Sequence, residues 1–425
     1  MSSMSSTSSL RIIWRVLIAL VFAALPVAAP AQPANPIKVG AGLSLTGGLA
    51  SPGKQVLMAL ELWRDDVNAK GGLLGRTVEI VYYDDQSNPN NVPALYTKLI
   101  TVDKVDLLLG PYATNMVAPA MPVIMQNNKV VISVLAIGIN RHFNYPRYFS
   151  MIPVGPKGPG AFSDGFFELA AAQSPKPQTV AIMAADAEFA KTAADAARDN
   201  AKAAGFTIVY DRSYPPATTD FLPVVRAVQA ANPDIVFVAA YPPDTVGIVR
   251  AANEINLTPK MFGGAMIGML VTPIKVQLGP LANGLVIGES FVRSPPFEFP
   301  GVADLFKRYQ ARAAAQGTDA LGHGYVPFGY AAGQVIAQAV EATKGTDHGK
   351  LADYIHNNTF KTVVGDVAFG KDGEWTKSRQ LFTQFQDVAP NDLEQFRAGS
   401  KQVILWPAEY KTGKIVYPYR GARKK

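Results

Sequence analysis

Short apolar runs alternate with longer stretches in which apolar residues recur every third or fourth position, and the alternation runs twice along the chain. The runs predict strands at Ile37–Leu43, Thr77–Tyr83, Val105–Leu109, Val130–Val134 and Arg147–Ile152. They predict a second set at Thr179–Ala184, Thr207–Arg212, Ile235–Ala239, Lys260–Gly263 and Gly284–Ile287. Between them the helical period dominates; in Gly53–Ala69, Val56, Leu60, Trp63 and Val67 fall on one face. A β-α-β-α order predicts parallel strands covered by helices on both faces. The expected fold is therefore α/β, with two doubly wound, Rossmann-like lobes. Tyr148 to Phe162 is dense in proline and glycine and reads as a crossing between them. After Gly288 come predicted helices over Val302–Gln316 and Phe328–Lys344, then strand-like runs at Thr362–Phe369, Leu381–Val388 and Gln402–Trp406. A block shared by two lobes requires several crossings, so a hinge is expected near residues 150, 290 and 360. The lobes then comprise 36–150 with 291–361, and 151–290 with 362–419, before a short basic tail at 420–425.

The first residues give an address. An apolar run from Ile12 to Ala29 follows Arg11 and Arg15 and ends in Ala29-Pro30-Ala31, the layout of a cleavable secretory signal over residues 1–31. The chain has no cysteine, which excludes disulfides, thiolate sites and a lipidated anchor at a cysteine. A free protein in the periplasm of a two-membrane bacterium is expected. Loss of the leader lowers the net charge from +7 to +5. No stripe of Lys and Arg interleaved with aromatics is present, so nucleic acid is not an expected partner.

Candidate chemistry is sparse. Gly48-Leu49-Ala50-Ser51-Pro52-Gly53-Lys54-Gln55 has the spacing of a phosphate loop, but Gln55 stands where a magnesium-holding Ser or Thr is needed. Ser163, in Ala161-Phe162-Ser163-Asp164-Gly165, loosely resembles a hydrolase nucleophile and reads better as the start of a helix. A secreted serine hydrolase using Ser163 is the alternative from another class. The four histidines, His142, His323, His348 and His356, show no metal-ligand spacing. Gly40-Ala41-Gly42 lacks the third glycine of a dinucleotide fingerprint. No catalytic residue, cofactor or metal is expected; the inventory points to binding.

Ile37–Ser44 with the Thr46-Gly47-Gly48 turn, Asn68 to Pro89 and Leu107 to Tyr112 resemble the branched-chain amino-acid-binding family. Pro233 to Asp244 and Gly329 to Thr343 continue the likeness, which covers roughly residues 36 to 410. These are type I periplasmic solute receptors of ABC importers. The resemblance implies two lobes that close on a small-molecule ligand and then dock on a membrane permease. A monomer is expected.

The resemblance also implies site residues. Thr114 lies where family members place a Ser or Thr on the ligand carboxylate, and a helix beginning near Thr114 or Asn115 would offer free N–H groups there. The rim after Val134 would add Leu135, Ala136 and Ile137, with Ala136 acting through its backbone. The departures select the ligand. The acidic residue that holds an amino acid's ammonium is matched by Ala265, with Met266 beside it. Ile137 replaces a threonine, Phe189 a tyrosine, and Pro52 a tryptophan. A buried ammonium without a carboxylate is costly, so an α-amino acid is disfavoured. Thr114 with Tyr112, Phe189, Tyr241, Met266 and Tyr325 suits an aromatic or apolar carboxylate. The alternative is an amino acid or amide, with Glu188 or Asp244 as charge partner; both read as solvated loop carboxylates.

Overall fold

The computed structural model describes residues 35–422, so the leader over residues 1–31 and the last three residues of the basic tail lie outside the described residues. The apolar runs form parallel strands because their side chains are covered on both faces. In β1 (Ile37–Leu43) every residue except Lys38 is buried. With β2 (Val78–Asp84), β3 (Leu107–Tyr112), β4 (Val131–Val134) and β5 (Tyr148–Ser150) it makes a parallel sheet of order β2-β1-β3-β4-β5.

The second sheet is built from β6 (Thr179–Ala185), β7 (Thr207–Tyr214), β8 (Ile235–Ala240), β9 (Met261–Met266) and β10 (Val286–Glu289), all parallel. The C-terminal strands β13 (Leu381–Phe385) and β14 (Gln402–Trp406) extend it antiparallel, giving the order β14-β13-β10-β9-β8-β6-β7. Two doubly wound sheets thus stand in one chain.

The run expected as a single strand over Thr362–Phe369 is instead half of a hairpin. β11 (Thr359–Thr362) pairs antiparallel with β12 (Gly365–Ala368) around Val363-Val364. The Thr362 hydroxyl donates to the Gly365 carbonyl and accepts from the Val364 N–H, which closes the turn. A boundary between residues 361 and 362 would cut this hairpin, so the third passage between the sheets lies at 369–380 rather than near 360.

The three passages are tied to one another. The Ser150 N–H donates to the Gly373 carbonyl (2.9 Å) and the Arg379 N–H to the Pro153 carbonyl (2.8 Å). The Ser290 hydroxyl donates to Gln380 Oε1 (3.1 Å). Glu374, in the same passage, accepts the Gly138 N–H (3.0 Å) and is 5% exposed. Burial pushes its carboxyl up from 4.5 to about 7, against the Gly138 bond that favours the ionised form. The folded state then holds this proton more tightly than the unfolded one. Its stabilising contribution is complete below about pH 4.5 and is lost as pH rises through 7. Glu374→Gln keeps an acceptor for Gly138 and removes that loss. Relative to the native chain, its melting temperature should improve between pH 5 and pH 8; an unchanged difference would show that Glu374 does not titrate in this window.

The third block packs on the first sheet's helices. Helix Val326–Thr343 lies against helix Ala50–Ala69. Gly333 permits it: a Cβ there would stand 2.3 Å from the Trp63 indole. Arg308, on helix Val302–Ala313, donates two hydrogen bonds to Asp66 (2.6 and 2.8 Å), tying that helix to the same partner.

Candidate ligand-binding cleft

In an open α/β sheet, ligands bind beyond the carboxyl ends of the strands, where the strand order reverses. In the first sheet that point lies between β1 and β3, and in the second between β6 and β8. Residues from both points line one inner cavity of about 30 Å³: Tyr112 at the end of β3 and Thr114 just past it, Phe189 after β6, and Tyr241 after β8. Tyr325, preceding helix Val326–Thr343, completes the group. Five of the expected site residues therefore meet.

Aromatic rings form most of the wall. Tyr112 and Tyr325 meet edge to face with centroids 5.3 Å apart. Phe162 and Phe189 do the same at 5.5 Å, and Phe189 and Tyr241 at 5.8 Å. Burial pushes the Tyr112, Tyr241 and Tyr325 phenols up, so they remain neutral hydroxyls. The Tyr241 hydroxyl accepts the Phe189 N–H (3.2 Å), which fixes the two rings together.

The polar atoms are few and placed. The Thr114 hydroxyl accepts the Ile137 N–H (3.1 Å), leaving its own proton to donate. Thr114 opens helix Thr114–Gln126, and among the described residues the N–H groups of Thr114 and Asn115 have no acceptor. Gln380 enters from the third passage, 1% exposed; its Oε1 is held by Ser290 and its Nε2 is buried without a partner. Backbone strain concentrates here as well. Ala113 (φ +71°) and Leu135 (φ +53°) both line the cavity in the left-handed region. Such residues each cost about 1–3 kcal/mol and cluster where function requires them.

No charged side chain lines this cavity among the described residues. The acid nearest in sequence, Glu289, sits between two lining residues, Gly288 and Ser290, and accepts from Gln402 Nε2 (2.6 Å) instead. Its carboxyl is pushed up to about 7 by burial, against the pull of Lys275.

Other expected residues lie elsewhere. Ala265 and Met266 are the last residues of β9, paired with Ala239 and Ala240, and neither reaches the cavity; Ile267 and Leu270 do. The strand runs three residues past its expected end, through Gly263-Gly264. Gly264 makes room for Phe237, whose ring would stand 2.7 Å from a Cβ there. Ala136 is buried with its carbonyl accepting from the Ser150 hydroxyl, and Ile137 acts only by holding Thr114. Asn115 lines a second chamber of about 330 Å³, which shares Tyr241 with the first. Sequence reasoning missed Phe162, Ile152, Ser290 and Gln380, which sit in or beside the passages, where only proline and glycine density gave a signal.

Asp244 is not a solvated loop carboxylate. It is 5% exposed at the start of helix Pro242–Glu254, where Oδ2 accepts from the Tyr214 hydroxyl (3.1 Å) and the Tyr241 N–H (3.4 Å). Glu188 is exposed. Ser163 is wholly buried at the start of helix Asp164–Ala171; its hydroxyl oxygen accepts from Asn200 Nδ2 (2.8 Å) and it donates to the Gly160 carbonyl (3.4 Å). Beyond the second chamber the cleft widens to about 790 Å³ between Gly47–Ser51 and Pro242–Glu254.

The fold has counterparts of known kind. The chain is 26% identical over 371 residues to Leu/Ile/Val-binding protein homolog 8 of Brucella abortus (strain 2308), covering 83% of this chain and 88% of that protein. A leucine-binding protein from Thermotoga maritima superposes with a TM-score of 0.72 at 17% identity, over 84% of this chain and 99% of that one. A solute-binding protein of an ABC transporter from R. palustris, in complex with 4-hydroxybenzoate, superposes with a TM-score of 0.71 at 21% identity, over 83% and 93%. The family model for periplasmic binding proteins matches residues 36–386. With two doubly wound sheets meeting over a cleft, the chain belongs to the periplasmic binding protein family, in its branched-chain amino-acid-binding type, the extracytoplasmic solute receptors of ABC transporters.

Proposed function

We propose that this receptor captures an aromatic or other apolar carboxylate and delivers it to the membrane permease of an ABC importer. The observation that carries the reading is the inner cavity itself, walled by aromatic rings, supplied with hydrogen-bond donors and free of charged side chains. The Thr114 hydroxyl, the adjacent helix N–H groups and Gln380 Nε2 receive the carboxylate, while Phe189 and Tyr241 close over the body. Donors at a helix start favour an anion. An α-ammonium in this cavity would have no carboxylate to meet. The R. palustris structure with 4-hydroxybenzoate lends the reading a precedent in the same fold.

A cavity of 30 Å³ holds only a water or two. Entry therefore requires the lobes to part, about the passages at 151–163, 290–301 and 369–380. The receptor works as a monomer in the periplasm, exported by its cleaved leader. The second reading, an amino acid or amide, draws on the Asp244 carboxylate in the neighbouring chamber.

A thermal-shift panel of amino acids, amides, aliphatic acids and aromatic acids separates the two. A ligand at 100 times its Kd adds about 2.7 kcal/mol, a shift of roughly 2 °C or more for lobes of this size. Aromatic acids are expected to give this shift. Stabilisation by leucine and not by aromatic acids would transfer the ligand to the second reading.

A further inference from the structure

The chamber beyond Tyr241 holds what the inner cavity lacks. The inner cavity offers hydrogen-bond donors and no charged side chain, whereas a carboxylate, Asp244, lines the chamber. Asn115 Oδ1 is buried with no hydrogen-bond partner. Asp244 spends Oδ2 on Tyr214 and the Tyr241 N–H; among the described residues its Oδ1 has no partner, although the residue is 5% exposed. A buried residue with one carboxylate oxygen unpartnered can accept from a donor that enters the chamber. Burial pushes the Asp244 carboxyl up, and the bonds from Tyr214 and Tyr241 only partly oppose this.

The two spaces differ in size as well. The inner cavity holds a water or two, while the chamber of about 330 Å³ is large enough for a substituent and its first waters. Tyr241 lines both, so a ring lying against Tyr241 has its carboxylate end toward Thr114 and its far end toward Asp244. Near Gly48 the cleft mouth comes into contact with Pro243, since a Cβ on Gly48 would lie 3.6 Å from that ring. Gly48, after β1, and Pro243, after β8, thus both border the chamber.

We infer that the chamber lined by Asn115 and Asp244 is a second subsite, selecting carboxylates whose far end carries a hydrogen-bond donor, a hydroxyl or an amino group. This rests on the aromatic-carboxylate reading above. The subsite accounts for an acid placed one chamber away from the carboxylate donors: an α-amino acid, whose ammonium lies beside its carboxylate, would not reach it from Thr114. The preferred class is an aromatic acid with a polar substituent opposite the carboxylate.

The test compares nearly isosteric pairs by calorimetric titration: 4-methylbenzoate with 4-hydroxybenzoate, and 4-ethylbenzoate with 4-(hydroxymethyl)benzoate. A hydrogen bond to a charged acceptor predicts that a donor-bearing member binds about 10-fold or more tightly than its partner. In Asp244→Asn the free oxygen becomes an amide of either orientation while Tyr214 keeps a partner, and the ratio within the pair should fall to about threefold or less. Asn115→Ala, which leaves the Asp244 cap intact, should reduce the same ratio. Equal affinity within both pairs, or a ratio the variants leave unchanged, overturns the subsite while the receptor reading stands. If no benzoate binds and leucine does, the aromatic reading fails, and the subsite with it.

Discussion

Thr114→Val should weaken 4-hydroxybenzoate binding by about 10- to 100-fold, the worth of one hydrogen bond to a charged group. The two side chains have the same shape, so the cavity wall is kept and only the hydroxyl goes. That hydroxyl has two duties: it accepts the Ile137 N–H at 3.1 Å and offers its proton to the cavity. The variant therefore also leaves the Ile137 N–H buried without a partner, at about 1–3 kcal/mol of stability. Thr114→Ser separates the effects, because it restores both bonds and should recover most of the affinity. Calorimetric titration of the three proteins reads the result. Native affinity in the valine variant would place the carboxylate elsewhere, on Gln380 or on the helix N–H groups alone.

Trp63→Ala should cost the fold about 3–5 kcal/mol, the usual range for deleting a large buried aromatic. Trp63 is 1% exposed and fills the space that Gly333 leaves on helix Val326–Thr343. Its Nε1 has no hydrogen-bond partner, so the loss is packing alone. The contact matters beyond stability, since this helix follows directly on Tyr325 at the cavity wall. A fall in melting temperature of roughly 5 °C is expected for a unit of this size. A loss below about 1 kcal/mol would mean that the helix rests on its Arg308–Asp66 tie and not on the indole.

What could be read from the sequence was whatever has a period. Val56, Leu60, Trp63 and Val67 announced the buried face of helix Ala50–Ala69; the first three are buried and Val67 is half-buried. The ten strands expected before residue 290 all exist, each shifted by no more than a few residues. The errors have local causes. Gly263-Gly264 looked like the end of a strand, but Gly264 makes room for Phe237 inside it, so Ala265 and Met266 were placed on the rim when Ile267 and Leu270 stand there. Val363-Val364 looked like strand, yet Thr362 folds it into a hairpin turn.

The site was half legible. Thr114, Tyr112, Phe189, Tyr241 and Tyr325 follow strands or precede a helix, and position after a strand is a signal. Gln380 and Phe162 come from passages whose sequence carries no periodicity. Asp244 looked like a solvated carboxylate because Tyr214, which covers it, lies 30 residues earlier in the chain. Burial by a distant residue leaves no local trace.

Titration of the purified protein with 4-hydroxybenzoate and, separately, with L-leucine decides between the two ligand classes. One molecule of 4-hydroxybenzoate is expected to bind per chain with micromolar or tighter affinity, with no heat from leucine at millimolar concentration. Saturable binding of leucine with none of 4-hydroxybenzoate would contradict this expectation, and would mean that the ammonium finds a carboxylate which the closed cavity does not contain.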